Sequence, residues 1–226
     1  MGEFRHWCSA EDSFQEIRNI FCVGRNYRDH ASELGNAVPS EPMIFAKPTH
    51  ALVAARGTVA LPASRQEIHH ELEIVLYIDK PVAPSSTARD VVGAVALGLD
   101  LTDRAAQTKL KEKGHPWEYA KGFVGSAILS DFYRFQDFRD VEGCHFAFDV
   151  NGVTVQSGNP RDMVFDFDAL IQHVRRHFGL NRGDVLFTGT PAGVGPLRDG
   201  DQCVFQMNQE TWAEFQIQHV FGGEGE

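Results

Sequence analysis

His69-His70-Glu71-Leu72-Glu73-Ile74 sets two carboxylates two residues apart at the head of an apolar run that continues through Val75, Leu76, Tyr77 and Ile78. β-Branched and aromatic residues in such a run favour a strand. Alternate side chains of a strand share a face, so Glu71 and Glu73 point the same way, their Cα atoms about 7 Å apart at a rise of about 3.3 Å per residue. Buried side by side, they repel each other and need a cation. A hard divalent ion is the simplest one, and an all-oxygen donor set selects magnesium, manganese or calcium. A strand with one wet face carries glutamates just as readily, and the pair alone does not separate the two readings. His69 shares the glutamate face by parity, as a further ligand or as a partner to one. His70 faces the other way and reads as a packed core histidine.

Four other places offer chemistry. Asp100 closes the small-residue apolar run from Val91 to Leu101, where an acid is either a helix N-cap or a third ligand. Three carboxylates on one divalent ion leave about three of six octahedral positions open, as a catalytic site requires. In Asp29-His30-Ala31-Ser32-Glu33, helical spacing puts His30 and Glu33 on one face, so the carboxylate can orient the imidazole as a general base. An exposed surface pair is the commoner meaning of those five residues alone. Arg104 and Gln107 have the same i, i+3 spacing, and Lys121 sits in the apolar setting Tyr119-Ala120-Lys121-Gly122-Phe123, where a lysine either snorkels or serves a site. In Thr188-Gly189-Thr190-Pro191-Ala192-Gly193-Val194-Gly195 the glycines allow close backbone approach, and Thr190 offers a hydroxyl and an N–H to a carboxylate. A tight inter-strand loop has the same composition. It is not a phosphate loop, because no Gly-Lys-Ser/Thr follows.

The elements that must hold these residues are short and strand-rich. A chain of 226 residues suits one large domain, and 42% hydrophobic with 23% charged residues is a globular balance. A formal charge of −10 argues against a nucleic-acid partner and requires that an anionic substrate meet locally concentrated positive charge. No apolar run reaches the length of a membrane span, and Met1 to Trp7 lacks the pattern of a signal peptide, so the expected compartment is the cytoplasm. Cys8, Cys22, Cys144 and Cys203 form no Cys-x-x-Cys pair; free thiols are expected, and a zinc site is not. Residues 1–17 read as an extension or a first hairpin. Strands are predicted over 19–24, 43–46, 52–60, 71–78, 91–101, 184–187, 204–207 and 212–220. A helix is predicted over 27–34 with Gly35 as its stop, another over 103–113, and a third over 168–178 capped by Asp166 or Asp168. Asn151-Gly152 marks a hairpin. Strands outnumber helices without βαβ alternation, which defines a strand-rich α+β class.

Six stretches, in order, resemble the fumarylacetoacetate hydrolase family over nearly the whole chain. They are Val23-Gly24-Arg25-Asn26-Tyr27-x-x-His30-x-x-Glu33; Pro42-x-x-Phe45-x-Lys47-Pro48; His69-His70-Glu71-x-Glu73; Leu99-Asp100-Leu101-Thr102-x-Arg104-x-x-Gln107; Lys113-Gly114-x-Pro116-Trp117-x-x-Ala120-Lys121; and Gly183-Asp184-Val185-x-x-Thr188-Gly189-Thr190-Pro191-x-Gly193-Val194-Gly195-Pro196. The short chain and the Lys-Gly-x-Pro-Trp piece look most like the small acylpyruvate hydrolase branch. The resemblance implies a mixed β-roll catalytic domain over 18–226 after an extension of 1–17, and a homodimer. It implies Mg2+ or Mn2+ on Glu71, Glu73 and Asp100, with His30 and Glu33 on a lid-like segment. Lys121 would join them in catalysis, with Arg104, Gln107, Thr190 and Arg25 around a small 2-oxo acid.

The activity implied first is hydrolysis of the C–C bond of an acylpyruvate, such as fumarylpyruvate or acetylpyruvate. In that chemistry His30, oriented by Glu33, deprotonates water, and Lys121 and Arg104 stabilise developing charge. The alternative on the same metal site is decarboxylation or keto–enol isomerisation of oxaloacetate or a related 2-oxo diacid; a third reading is metal binding without activity. One departure is visible. The family usually reads Thr-Ala-Arg-Asp after the metal aspartate, whereas this chain has Thr102-Asp103-Arg104-Ala105, with the acid on the other side of the arginine.

Overall fold

Val92–Asp100 and Leu72–Ile78 are the axis of the molecule. They pair antiparallel, with Leu72 opposite Leu99 and Glu73 opposite Gly98, and Leu72–Ile78 is buried at every residue. The computed structural model describes residues 4–33, 37–65 and 67–221; the helix stop expected at Gly35 lies outside them. Among the described residues the large sheet runs in the order Arg5–Cys8, Phe132–Arg134, Val92–Asp100, Leu72–Ile78, Val185–Phe187, Ile20–Gly24, Met43–Lys47, with Ala127–Leu129 and Leu52–Ala54 branching from Val92–Asp100. It is mixed: Val185–Phe187 runs parallel to Ile20–Gly24 and antiparallel to Leu72–Ile78.

Alternation explains why both faces of this sheet are covered. Ile74, Leu76 and Ile78 join one apolar cluster, which includes Phe146, Phe148, Phe205 and Ile217 of a second, five-stranded sheet. Val75 and Tyr77 join another, with Ala94, Ala96, Phe132 and Phe187. Glu73, Gly98 and Asp100 fall by parity on the second side, where the apolar side chains give out. A third, small sheet of Gly195–Pro196, Ile68–His70 and Thr102–Asp103 closes that end. The result is a strand-rich α+β fold built on mixed sheets.

The elements differ from the sequence reading in instructive places. The run expected as one strand over 52–60 is two, Leu52–Ala54 and Gly57–Pro62, which enter different sheets after a bend at Ala55-Arg56. Glu71 is not inside a strand but at the break between Ile68–His70 and Leu72–Ile78. The wet-faced alternative for this run does not hold. In residues 1–17, Arg5–Cys8 pairs with Phe132–Arg134, and Ser9 caps the short helix Ala10–Phe14. The helix over 27–34 is realised as Arg28–Glu33. Asp166, not Asp168, caps the helix Phe167–Phe178; Asp168 accepts from the Ala88 N–H at 2.6 Å instead. Asn151 and Gly152 have φ of 52° and 78°, as a two-residue hairpin turn requires. All four cysteines are free. Among the described residues no helix is long and apolar enough to cross a membrane.

Candidate active site

The three acids converge because of backbone register. The Asp100 N–H donates to the Glu71 carbonyl at 2.9 Å, which holds the end of one strand against the break in the other. One carboxylate oxygen from each of Glu71, Glu73 and Asp100 lies within 4.8 Å of the others, and the residues are 6%, 1% and 1% exposed. Three cations face them. Lys121 Nζ donates to Glu71 Oε2 and Asp100 Oδ2, both at 2.7 Å. Arg104 donates to Glu71 Oε1 at 2.6 Å and to Gln107 Oε1 at 3.1 Å. Lys47 Nζ lies 2.8 Å from Asp100 Oδ1. Thr102 adds a hydroxyl to Glu71 Oε1 at 3.0 Å.

The electrostatic consequences differ between neighbours. Burial would raise the Glu71 carboxyl, but Lys121 and Arg104 override it and hold Glu71 well below the usual carboxylate range. Glu73 goes the other way: burial, then the charges of Asp100 and Glu71, push it well up, opposed by a 2.7 Å hydrogen bond from the Gly189 N–H. Burial works against the Lys121 ammonium, yet Asp100 and Glu71 raise it above the ordinary lysine value, so it stays charged.

The residues fit a hard divalent cation. The donor set is all carboxylate oxygen. Asp100 Oδ1 is buried and meets Lys47 Nζ as an ion pair without an aligned hydrogen bond, while that ammonium also donates to the carbonyls of Leu101, at 3.1 Å, and Lys121. A buried carboxylate oxygen with an ion-pair contact but no aligned hydrogen bond keeps acceptor capacity that a cation can use.

His30 stands on the helix Arg28–Glu33, with Nδ1 3.3 Å from Glu33 Oε2. Glu33 is in turn held by the Gly193 N–H at 3.1 Å. Two glycines of the Gly-rich loop thus aim N–H groups at site carboxylates, Gly189 at Glu73 and Gly193 at Glu33. Both need φ near +100°, and a Cβ on either would collide, with Asn26 or with the Val155 carbonyl. His30 is 4% exposed, and burial lowers its pKa from 6.5, against the raising influence of Glu71 and Glu33. Its imidazole is therefore a neutral base at pH 7.

These groups share one narrow cleft of about 30 Å³. Arg25, His30, Glu71, Glu73, Arg104, Gln107, Lys121 and Thr190 all line it; Glu33 and Asp100 stand behind His30 and Lys121. Arg25 reaches it from a left-handed backbone, φ 60°, a conformation costing about 1–2 kcal/mol. Lys111 lines the same cleft over the Trp117 ring, 5.4 Å from its centroid. Its pKa is lowered by burial first and then by the charges of Arg25 and Arg104. Among the described residues no carboxylate pairs with Arg25 or Lys111, so the cleft has cationic charge to spare.

The ten site residues predicted from sequence are thus brought together. His69 is not among them: its Nε2 turns to Glu67 at 3.2 Å. His70 is buried as expected, 2.8 Å from Gln156. The snorkelling alternative for Lys121 fails, since it is 3% exposed. Asp103 supplies the N-cap that was one of the two readings of Asp100, accepting from the Ala106 N–H at 2.9 Å and pairing with Arg65 at 2.8 Å. Sequence reasoning gave no role to Lys47, Lys111 or Gln156. For Lys47 the signal was present, a lysine closing the apolar strand Met43–Lys47.

A family model described as fumarylacetoacetate (FAA) hydrolase C-terminal matches residues 19–218. The chain belongs to the fumarylacetoacetate hydrolase family of enzymes. It is 38% identical over 207 residues to the mitochondrial oxaloacetate tautomerase FAHD1 of Arabidopsis thaliana, covering 91% of this chain and 93% of that one. It is 39% identical over 205 residues to the oxaloacetate tautomerase YcgM of Escherichia coli K12, covering 89% and 93%. Among solved structures, a fumarylpyruvate hydrolase from Pseudomonas aeruginosa in complex with Mn2+ and pyruvate superposes with a TM-score of 0.79 at 29% identity, covering 91% of this chain and 90% of that one.

Proposed function

We propose that this chain is an oxaloacetate tautomerase, interconverting the keto and enol forms of a 2-oxo diacid with a divalent cation held by Glu71, Glu73 and Asp100. The observation that carries the reading is a buried carboxylate triad beside the His30–Glu33 pair in a cleft that Arg25 and Lys111 also line, with no carboxylate partner among the described residues, in a chain that aligns with oxaloacetate tautomerases over about nine-tenths of its length. The acylpyruvate hydrolysis favoured from sequence gives way to what was its alternative.

When bound, Mg2+ or Mn2+ supplies Lewis acidity toward the 2-oxo and adjacent carboxylate oxygens. The chain's own residues do the rest. His30 Nδ1 is engaged by Glu33, which leaves Nε2 as the base. Nε2 takes the proton from C3 of the keto form and returns it to the 2-oxygen; the enol travels the same path in reverse. Between the two transfers the 2-oxygen is negative, and Lys121 and Arg104 face that charge. Gln107 and Thr190 donate to the adjacent carboxylate. Arg25 and Lys111 receive the distal carboxylate, which a diacid has and acetylpyruvate lacks. A cleft this narrow must widen for a four-carbon substrate, and Arg28–Glu33 is the segment to move, by release of Glu33 from Gly193.

A second reading, hydrolysis of fumarylpyruvate, is favoured by one observation, the structural likeness to the Pseudomonas enzyme. It shares the diacid and differs in needing an attacking water. The assembly proposed is a homodimer, tested by sedimentation at micromolar concentration, where a fully active monomer is the contrary result. The functional test is the enol-to-keto rate of oxaloacetate, read by ultraviolet absorbance with Mg2+, with fumarylpyruvate and acetylpyruvate cleavage run in parallel. Acceleration of the first is expected; cleavage of the others without it overturns the proposal.

A further inference from the structure

Gln156 is the most fully bonded polar side chain near the cleft, and it belongs to neither the carboxylate cluster nor the lid. It lies on Val153–Gly158 of the five-stranded sheet, 1% exposed. Its amide makes four hydrogen bonds. Oε1 accepts from the Leu72 N–H at 2.9 Å and faces His70 Nδ1 at 2.8 Å. Nε2 donates to the Pro191 carbonyl at 3.0 Å and to Thr190 Oγ1 at 2.8 Å. A backbone N–H can only donate and a carbonyl can only accept, so these contacts fix which end of the amide is oxygen.

That orientation has a chemical consequence for Thr190. Its hydroxyl receives a hydrogen from Gln156, so its own single proton points elsewhere. Among the described residues its one protein acceptor is the Pro191 carbonyl, 3.5 Å away, well beyond the usual 2.7–2.8 Å of an O–H···O bond. Thr190 lines the cleft. Its proton is therefore available to an acceptor there, and an anionic carboxylate is the strongest one. The other end of Gln156 accepts from the N–H of Leu72, the residue between Glu71 and Glu73 and the first of its strand. One side chain spans from the carboxylate-bearing strand to the Thr190 loop.

We infer that Gln156 is a positioning residue: it forces the Thr190 hydroxyl to donate to the substrate carboxylate, and it ties that donor at a set distance from Glu71 and Glu73. The inference rests on the reading of the cleft as a 2-oxo acid site. It also assigns His70 the Nδ1–H form, since Gln156 Oε1 can only accept.

The test is a double-mutant cycle on oxalate binding, an anion carrying the same planar pair of chelating oxygens as a 2-oxo acid, measured by calorimetry at saturating Mg2+. Thr190→Val removes the donor and is expected to weaken oxalate about 10-fold or more, the effect of a hydrogen bond to a charged group. Gln156→Glu keeps the shape and both acceptor contacts but turns Thr190's proton inward, and should weaken oxalate to a similar degree. The double variant should bind no more weakly than the singles, because the two act through one proton. Thr190→Ser should bind like the wild type. Wild-type affinity in Gln156→Glu, or additive losses, overturns the inference. If Gln156→Glu does not fold, the side-chain amide resonances of Gln156 answer instead. They should shift in Thr190→Val and on oxalate binding, and resonances unmoved by both overturn it equally. Wild-type protein that binds no oxalate with Mg2+ removes the 2-oxo acid reading and this inference together; wild-type binding with additive losses removes this inference alone.

Discussion

Lys121 Nζ lies 2.7 Å from Asp100 Oδ2, and the same ammonium reaches Glu71 Oε2 at 2.7 Å, so one buried cation joins the carboxylates at the ends of two strands. Removing one partner of such a group leaves buried charge uncompensated, at a cost of about 3–5 kcal/mol. Lys121→Met should therefore be destabilised by that order without metal. Mg2+ should restore more stability to it than to the wild type, by binding the folded state. Thermal melts with and without Mg2+ check this, and equal metal-free melting temperatures would contradict it. Tautomerase activity should fall about 10²–10³-fold in the same variant even at saturating Mg2+, as for loss of one stabilising donor.

Glu73→Gln keeps an acceptor for the Gly189 N–H but removes one of three anionic oxygens. Magnesium affinity, by calorimetry, and activity should decline together. An unchanged magnesium titration would remove Glu73 from the metal site.

The pH profile should report His30. Burial lowers its pKa from 6.5, and the base form is the neutral one. Activity should then rise with pH through a limb lying below 6.5 and level off above it. Glu33 raises that pKa, so Glu33→Ala should carry the limb to still lower pH while slowing turnover through loss of orientation. His30→Ala should abolish the limb and cost about 10²–10⁴-fold. The double variant should be no slower than His30→Ala alone if the two act as a unit. A wild-type limb above pH 6.5 would contradict the assignment.

Asp103 explains the displaced acid beside Arg104. It caps Arg104–Lys113, the helix that presents Arg104 and Gln107, and it anchors Arg65, whose guanidinium stacks 4.4 Å from the Phe123 ring centroid. Asp103→Ala should cost about 1–2 kcal/mol from the cap. Asp103→Asn, which can still cap, should recover most of it in denaturant unfolding.

What was legible in the sequence follows the range of each signal. His30 with Glu33 is local, set by the period of a helix, and Glu71 with Glu73 was legible as a spacing although Glu71 sits at a strand break; the structure brings each pair together. The fold class followed from counting strands. The partners of Lys121 lie 50 and 21 residues away, so its burial could not be read from its apolar neighbours, which suit a snorkelling lysine as well. Gln156 reaches residues 84 and 34 positions away and carries no local mark in an exposed-looking hairpin strand. The strand expected over 52–60 divides because the bend at Ala55-Arg56 falls between residues that each satisfy a strand pattern.

The most direct measurement of the central claim is the enol–keto rate of oxaloacetate with Mg2+ for the wild type and for His30→Ala. The account predicts strong acceleration by the wild type, dependence on the divalent ion, and loss of about 10²–10⁴-fold in the variant. A wild-type protein that leaves the tautomer rate at its uncatalysed value, or a His30→Ala variant that retains full activity, would contradict it.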